Sequence, residues 1–179
     1  MSSLSSGTAT TWSLLEISIP AFGLSRRMNL SMSDAKEFIE EYFKTYPGVK
    51  KYMNESIKGA REKGYVQTIM GRKRYLPDIL SRNSVVRGFA ERNAINAPIQ
   101  GSAADIIKIA MINIYNRIEI KQLKSGMILQ VHDELVFDVP EKEIDELSDI
   151  VVNEMQNAVK LDVPLTVEWG TGRNWLEAH

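Results

Sequence analysis

Apolar and polar residues alternate on both sides of residue 133. The odd-numbered positions of this segment are apolar: Met127, Leu129, Val131, Leu135, Phe137 and Val139. Side chains two positions apart in a strand lie on the same face of a sheet. The alternation therefore predicts a β-hairpin whose odd positions face a core, with His132, Asp133 and Glu134 at its tight loop.

Apolar residues three and four positions apart predict helices elsewhere in the chain. The longest such pattern covers residues 99–118, and Pro98 is expected to start this helix, separately from a helix over residues 84–95. The other predicted elements are a helix capped by Ser33, a helix from Pro47 to Lys63 closed by Gly64, a hairpin over residues 65–76 that turns at Gly71, a helix over residues 144–159 and a strand over residues 164–169. The pattern thus mixes helices with short strands.

Length and composition indicate one globular domain or parts of two. A hydrophobic content of 44% is enough for a core, and no apolar run approaches the roughly 18 residues of a membrane span. Because cysteine is absent, disulfides and cysteine-based zinc sites are excluded, which fits a cytoplasmic protein. Residues 1–20 lack the basic region of a signal peptide.

Opposite charges are segregated along the chain. The net charge of −1 does not by itself indicate nucleic-acid binding. Residues 133–149 are mainly acidic, whereas residues 72–92 are mainly basic and carry Arg72, Lys73, Arg74, Arg82, Arg87 and Arg92. The basic segment is therefore a candidate surface for phosphate groups.

The residues alone leave two interpretations of each polar cluster. The acidic turn at Asp133 and Glu134 is either a solvated turn or part of a Mg²⁺ site, since Mg²⁺ prefers carboxylate oxygens. The basic residues 72–74 form either a strand edge that resists pairing or a phosphate contact. Arg92, Asn96 and Gln100 are four positions apart and could share one helix side, but Asn96 could also be an N-cap and Gln100 a solvated residue.

Four segments, in the same order, resemble family A DNA polymerases of the bacterial DNA polymerase I type. In chain order they are Met-Gly-Arg-Lys-Arg-Tyr-Leu-Pro-Asp at 70–78, Glu-Arg-Asn-Ala-Ile-Asn-Ala-Pro-Ile-Gln-Gly-Ser-Ala-Ala-Asp at 91–105, Val-His-Asp-Glu at 131–134 and Gly-Arg-Asn-Trp-Leu-Glu-Ala-His at 172–179. The Val-His-Asp-Glu segment lies between two apolar strands. The resemblance extends from about residue 21 to residue 179.

This resemblance implies an α/β (α+β) fold, with helices packed on a small antiparallel sheet that carries a catalytic hairpin. Residues 21–97 would be part of the fingers and residues 98–179 part of the palm. The implied activity is that of a DNA-directed DNA polymerase, which transfers a nucleotide from a dNTP to a primer 3′-OH with two Mg²⁺ ions during replication and repair. The implied partners are primer-template DNA and dNTP, and the complete enzyme would be monomeric and cytoplasmic.

The resemblance also assigns roles to individual residues. Asp133 and Glu134 match the catalytic, metal-binding aspartate and its auxiliary carboxylate. The matching DNA-binding residues are Arg72, Arg74, Arg87, Arg92, Asn96, Gln100 and His132. In the family, the positions of Arg92, Asn96 and Gln100 contact the template and the terminal base pair, and that of His132 touches the primer end.

The first 20 residues depart from the family pattern. They contain no Lys, Arg, Tyr or Asp, so they supply neither the nucleotide-gripping helix nor the second catalytic aspartate of the family. We therefore expect a foreign, out-of-frame or disordered head, and a truncated chain that is inactive alone. The alternatives are a non-catalytic DNA-binding remnant and an unrelated metal hydrolase, but the chain has only two histidines as ligands for the latter.

Overall fold

The computed structural model describes residues 2–8 and 21–178, and the side chains of residues 21–178. Most of the head predicted at residues 1–20 lies outside the described residues. In chain order, the helices and strands are β1 (Ser2–Thr8), α1 (Ala21–Met28), α2 (Met32–Thr45), α3 (Pro47–Lys63), β2 (Tyr65–Gln67), β3 (Lys73–Tyr75), α4 (Ser84–Lys121), β4 (Gly126–Val131), β5 (Glu134–Val139), α5 (Ile144–Gln156) and β6 (Val167–Gly172). They form two compact units, one of residues 2–8 and 103–178 and the other of residues 21–102.

A four-stranded antiparallel sheet, in the order β4-β5-β1-β6, organises the first unit. Its β4–β5 pair is the hairpin predicted from the alternation of apolar residues. The backbone of β1 pairs with β5 on one side and with β6 on the other, where the sequence predicted no element. Backbone hydrogen bonds to two neighbours, rather than apolar alternation, therefore define β1 as a strand.

The predicted core face of the hairpin is correct for β5 and wrong for part of β4. Leu135, Phe137 and Val139 are fully buried, but Leu129 is 48% exposed. The register shifts between Met127, which pairs with Phe137, and Leu129, which pairs with Val136. The extra residue, Ile128, changes the face on which the following β4 side chains lie.

The core of the first unit lies between this sheet and two helices. It contains Ile107, Ala110, Ile114 and Ile118 of α4, Leu135, Phe137 and Val139 of β5, and Leu147, Val151 and Met155 of α5. These residues confirm the helical patterns predicted for both helices. The strand β6 begins at Val167 rather than at the predicted Pro164, because its pairing with β1 starts where Val167 meets Thr8.

Helix α4 is continuous from Ser84 to Lys121, so the predicted break at Pro98 is wrong. Proline has no N–H to donate to the carbonyl four residues earlier, which normally weakens a helix. The carbonyl left without this donor is that of Ala94, and the next carbonyl, of Ile95, accepts from the hydroxyl of Tyr52 at 2.9 Å, which ties α3 to α4 just before Pro98. Burial raises the pKa of Tyr52 and thus favours its neutral, donating form. Buried packing around residues 94–97 holds the helix together across the proline.

In the second unit, alanines allow close contact between helices and the β2–β3 hairpin. Its buried core consists of Ala60, Val66, Leu76, Ile79, Ala90, Ala94 and Ala97. The helix Pro47–Lys63 and its C-cap Gly64, with a φ of 77°, are as predicted. The cap of α2 is not the predicted Ser33 but Ser31, whose hydroxyl accepts from the N–H of Asp34 at 3.1 Å, so the helix begins earlier. In neither unit is a described helix long and apolar enough to cross a membrane.

The turn of the β2–β3 hairpin docks on α4 through a set of hydrogen bonds. The Ser102 hydroxyl accepts from the N–H of Ile69 at 3.0 Å and donates to the carbonyl of Pro98. The Arg72 guanidinium donates to the carbonyl of Gly101 at 3.0 Å. A Cβ atom at Gly101 would lie 2.6 Å from Cγ2 of Thr68, so the close approach of the turn requires glycine.

We expect Gly101→Ala to destabilise the protein although alanine is normally the better helix residue. Overpacking against Thr68 costs about 1–3 kcal/mol, more than the roughly 1 kcal/mol gained from helix propensity. Thr68 cannot move freely, because its Oγ1 accepts from the N–H of Arg72 at 3.2 Å. The measurement is thermal unfolding by circular dichroism. Gly59→Ala in α3, where no atom lies within 4 Å of the added Cβ, is the control and should raise Tm. Equal changes in Tm for the two variants would contradict the close contact between the β2–β3 turn and α4 at Gly101.

Glu143 joins the loop before β4 to the start of α5. Its Oε2 accepts from the N–H of Lys124 at 2.9 Å, from the N–H of Ser125 at 3.0 Å and from the Ser125 hydroxyl at 2.8 Å. Burial of the carboxylate opposes its ionisation, but these hydrogen bonds outweigh burial, so the pKa of Glu143 lies below its ordinary value.

A lowered pKa in the folded state predicts a pH-dependent contribution of Glu143 to stability. This contribution is complete above the ordinary glutamate pKa and is lost as the pH falls through the lower folded pKa. We expect Glu143→Gln to lower Tm at neutral pH and to lose less stability than the wild type on acidification. Glu141→Gln, at an exposed position of the same turn, is the control. Parallel Tm curves for the wild type and Glu143→Gln between neutral and acidic pH would refute this role.

Candidate functional site

The tip of the β4–β5 hairpin combines a tight turn with three polar side chains. Val131 pairs with Glu134, which leaves His132 and Asp133 as the two residues of the turn. His132 has a φ of 54°, in the left-handed region where glycine or asparagine is usual. The side-chain amide of Gln130 donates to the carbonyl of His132 at 2.9 Å and supports this conformation. A histidine held in an unfavourable conformation at the turn suggests a functional role.

The three polar side chains differ in their burial. His132 is exposed, Asp133 is partly buried, and Glu134 is 7% exposed. Oε1 of Glu134 accepts from Nε1 of Trp175 at 3.1 Å. A buried carboxylate requires such donors because it has lost its water. The hairpin therefore presents one partly accessible carboxylate beside a second that the protein holds in place.

Asp133 and Glu134 have the donor chemistry of a hard divalent cation site. Their carboxylate oxygens suit Mg²⁺, whereas the imidazole of His132 does not. In the described parts of the chain, no group of three or more His, Asp or Glu side chains could hold a metal ion. The two adjacent carboxylates thus fit one part of a metal site and do not complete it.

The basic residues of the β2–β3 hairpin have different environments. The Arg72 guanidinium is bonded to the Gly101 carbonyl. Lys73 places its Nζ 4.6 Å from the centre of the Tyr65 ring. Arg74 is exposed, and no hydrogen bond or ion pair joins its side chain to the residues that the structure describes. Of the three side chains, Arg74 is therefore the most available to an external phosphate.

On α4, Arg87 is held by its neighbours. Its Nη1 donates to the carbonyl of Ser81 at 3.0 Å, and its Nε lies 3.8 Å from Oε1 of Glu91. The same oxygen of Glu91 accepts from Nη2 of Arg61 at 2.6 Å. These contacts connect α3 to α4, so Arg87 has a structural role whatever else it binds.

Arg92, Asn96 and Gln100 lie on one side of α4, because the helix continues through Pro98. Arg92 and Gln100 are exposed, whereas Asn96 is 9% exposed. Asn96 lies in the helix interior and is not an N-cap. Its buried Oδ1 has no hydrogen-bond partner among the described residues.

A small pocket of about 80 Å³ brings three of the predicted DNA-binding residues together in the second unit. Arg72 and Arg74 line it from the β2–β3 hairpin, and Gln100 lines it from α4. The other lining residues are Val66, Gln67, Thr68, Lys73, Ala97, Pro98 and Gly101. His132, Asp133 and Glu134 lie together in the first unit.

No pattern in the sequence indicated the residues that support these side chains. Trp175 lies in a segment that resembles the family, but its contact with Glu134 spans 41 positions and leaves no local pattern. Gly101 and Ser102 also lie in a resembling segment. Only the adjacency of a glycine and a serine to Gln100 could have suggested a close approach there.

Comparison with known proteins agrees with the fold. The chain is 52% identical over 160 residues to DNA polymerase I of Lactococcus lactis, and 48% identical over 160 residues to DNA polymerase I of Bacillus subtilis. Each match covers 89% of this chain and 18% of the relative. The polymerase domain of Pol1 from M. smegmatis, solved in complex with DNA primer-template and dNTP, superimposes with a TM-score of 0.87 at 48% identity. That match covers 92% of this chain and 29% of the other.

The sequence model of DNA polymerase family A matches residues 17–177. Enzymes of this family use divalent metal ions in general, which agrees with the donor chemistry of Asp133 and Glu134. The match, the identities and the mixed helix and antiparallel-sheet fold all confirm the expected relationship. This chain belongs to DNA polymerase family A.

Proposed function

We propose that this chain forms part of the polymerase region of a DNA-directed DNA polymerase that acts in replication and repair. The reaction joins the α-phosphate of a dNTP to a primer 3′-OH and releases pyrophosphate. The hairpin turn with Asp133 and Glu134 is the observation that carries the proposal, because it combines the required carboxylates with a buried strand that fixes them. The DNA polymerase I relatives and the DNA- and dNTP-bound neighbour support it.

In this proposal, Asp133 is the principal metal ligand and Glu134 its auxiliary carboxylate. Both would hold Mg²⁺, which when bound stabilises charge on the attacking and leaving oxygens of phosphoryl transfer. The backbone pairing of β5 keeps the two carboxylates at one end of the sheet. Because α4 and α5 pack on the same sheet, the protein fixes these oxygens before substrate binds.

Two adjacent carboxylates are too few for a complete two-metal site. We therefore propose that catalysis requires a further carboxylate beyond those of the described residues, and that the 179-residue chain does not extend a primer alone. The incomplete carboxylate set also favours a second candidate, a non-catalytic DNA-binding remnant. Membership of the polymerase family argues against an unrelated metal hydrolase.

The proposed partners are primer-template DNA and dNTP. Arg74, Arg92 and Gln100 are the exposed candidates for DNA contact, and His132 is the candidate for contact with the primer end. Donors on Arg92 and Gln100 can meet acceptors that every base pair presents in the minor groove, which checks pair geometry without reading sequence. We propose supporting roles for Arg72 and Arg87, whose guanidinium groups are bonded internally, and a buried contact for Asn96.

We also retain the assignment of residues 21–97 to the fingers and 98–179 to the palm as a proposal. The division of the structure after Ser102 supports a boundary close to this position. A monomeric, cytoplasmic enzyme without a membrane role is part of the same proposal.

The catalytic role of Asp133 is testable in a chimera in which residues 21–179 replace the matching segment of the Bacillus subtilis relative. We expect Asp133→Asn to lower the primer-extension rate by about 100-fold or more, because a metal-held charge contributes several kcal/mol to the transition state. Asp138→Asn, the same change on the same hairpin, is the control and should retain most of the activity. The isolated chain should give no extension.

Three results of this experiment would count against the proposal. Equal activity of the Asp133→Asn and Asp138→Asn chimeras would remove Asp133 from catalysis. Extension by the isolated chain would show that no further carboxylate is needed. An unmodified chimera that binds DNA and folds, but does not extend a primer, would favour the DNA-binding remnant.

DNA binding by the isolated chain should depend on salt through the basic hairpin. Affinity falls as the salt concentration rises, and each phosphate neutralised by a cationic side chain increases the magnitude of the slope of log affinity against log salt concentration by about 0.9. We expect Arg74→Gln to reduce that slope by about one in fluorescence anisotropy titrations with a labelled primer-template DNA. Lys58→Gln, a loss of one exposed charge from α3, is the control. A salt-independent affinity, or equal effects of the two variants, would refute this contact.

A further inference from the structure

The last described residues fold into a closed turn after β6. The N–H of Arg173 donates to Oε2 of Glu177 at 3.0 Å, and the side-chain amide of Asn174 donates to Oε1 of Glu177 at 2.9 Å. In return, Oδ1 of Asn174 accepts from the N–H of Glu177 at 3.1 Å. These reciprocal bonds give residues 173–178 a defined shape.

This turn lies directly against the glycines of β6. A Cβ atom at Gly170 would lie 2.4 Å from the carbonyl oxygen of Ala178, and one at Gly172 would lie 2.6 Å from the Ala178 nitrogen. Ala178 itself is buried. Only strand positions without side chains permit this approach, so the turn is seated on the sheet by backbone contact.

Trp175 extends from this turn to the proposed catalytic hairpin. Its indole N–H donates to Oε1 of Glu134, the residue that directly follows Asp133. The indole can donate but cannot accept, and its ring is large and rigid. The bond therefore fixes the orientation of one oxygen of a buried carboxylate without adding a charge that would compete with a cation.

We propose that Trp175 is a positioning residue for the Glu134 carboxylate, and that the turn of residues 173–178 supports the catalytic centre. The inference rests on the proposed polymerase function. Groups that orient metal-binding carboxylates commonly change metal affinity or activity by about 10–100-fold when they are removed. Glu134 needs such a partner because it is buried at the end of a strand, where a wrong rotamer would turn its oxygens away from a metal beside Asp133.

The contact can be measured in the 179-residue chain without reference to catalysis. Trp12, Trp169 and Trp175 each give one indole N–H signal in a ¹H–¹⁵N correlation spectrum, and Trp→Phe variants assign them. We expect Glu134→Gln to shift the Trp175 signal, because the charged acceptor is lost, and to leave the Trp169 signal in place. An unchanged Trp175 signal would overturn the contact.

The functional consequence can be measured in the chimera described above. We expect Trp175→Phe to lower primer extension by about 10–100-fold and to raise the Mg²⁺ concentration needed for half-maximal activity. Trp169→Phe removes an indole from β6, where the side chain is 46% exposed, and is the control for a general loss of packing. It should leave both measurements near those of the unmodified chimera.

The outcomes separate this inference from the proposed function. If Asp133→Asn abolishes extension while Trp175→Phe and Trp169→Phe act alike, the polymerase function stands and the positioning role is wrong. If Asp133→Asn has no effect, the proposed function fails, and the indole spectrum alone decides whether Trp175 holds Glu134. Should Trp175→Phe fail to fold, Glu134→Gln in the 179-residue chain replaces it, with the Trp175 indole signal as the only readout, because Glu134→Gln also removes a proposed Mg²⁺ ligand. A shifted Trp175 signal supports the contact, and an unchanged signal contradicts it.

Discussion

The pairing of β5 with strands on both sides is the constraint on which the first unit depends. Leu135, Phe137 and Val139 are fully buried, and Val136, from the opposite face, is 3% exposed. A strand buried in this way cannot slip by one residue without moving its entire apolar set, so its register is fixed. The turn residues His132 and Asp133 precede this strand, and their backbone position follows from the same register. The location of the candidate site is thus a consequence of core packing.

Those parts of the fold that local chemistry specifies could be predicted from the sequence. The α3 helix has a proline at its start and a glycine at its end, and β5 has apolar residues at every odd position from Leu135 to Val139, so both were predicted correctly. Long-range contacts overruled local rules elsewhere. Pro98 remains inside a helix because its surroundings are buried, and the extra residue in β4 alters a face that alternation alone assigned to the core. Among the candidate site residues, Asp133 and Glu134 stay predictions that rest on the resemblance to a family, and no local signal could connect Trp175 with Glu134.

Cationic side chains in the second unit have two distinct physical roles. Some are bonded to backbone carbonyls or carboxylates of their own chain, as Arg72 is to Gly101 and Arg87 to Ser81. Their charge still contributes to the surface potential, but their geometry is committed to holding the hairpin and helix together. Arg74 and Arg92 are exposed, and neither is bonded to a backbone carbonyl or a carboxylate of the described residues; the Arg92 guanidinium lies 5.9 Å from the centre of the Phe89 ring. Counting the basic residues of a segment therefore gives a larger number than the side chains that are available to contact a ligand.

The positive φ of His132 has a consequence for engineering this protein. A residue other than glycine in such a backbone conformation costs on the order of 1–3 kcal/mol, which asparagine or glycine would largely relieve. Computational design aimed at thermal stability would therefore favour replacing His132, and with it the imidazole at the hairpin tip. If His132 contacts the primer end as proposed, stability and activity favour different amino acids at this residue, so a thermostable variant should be designed with this position held fixed.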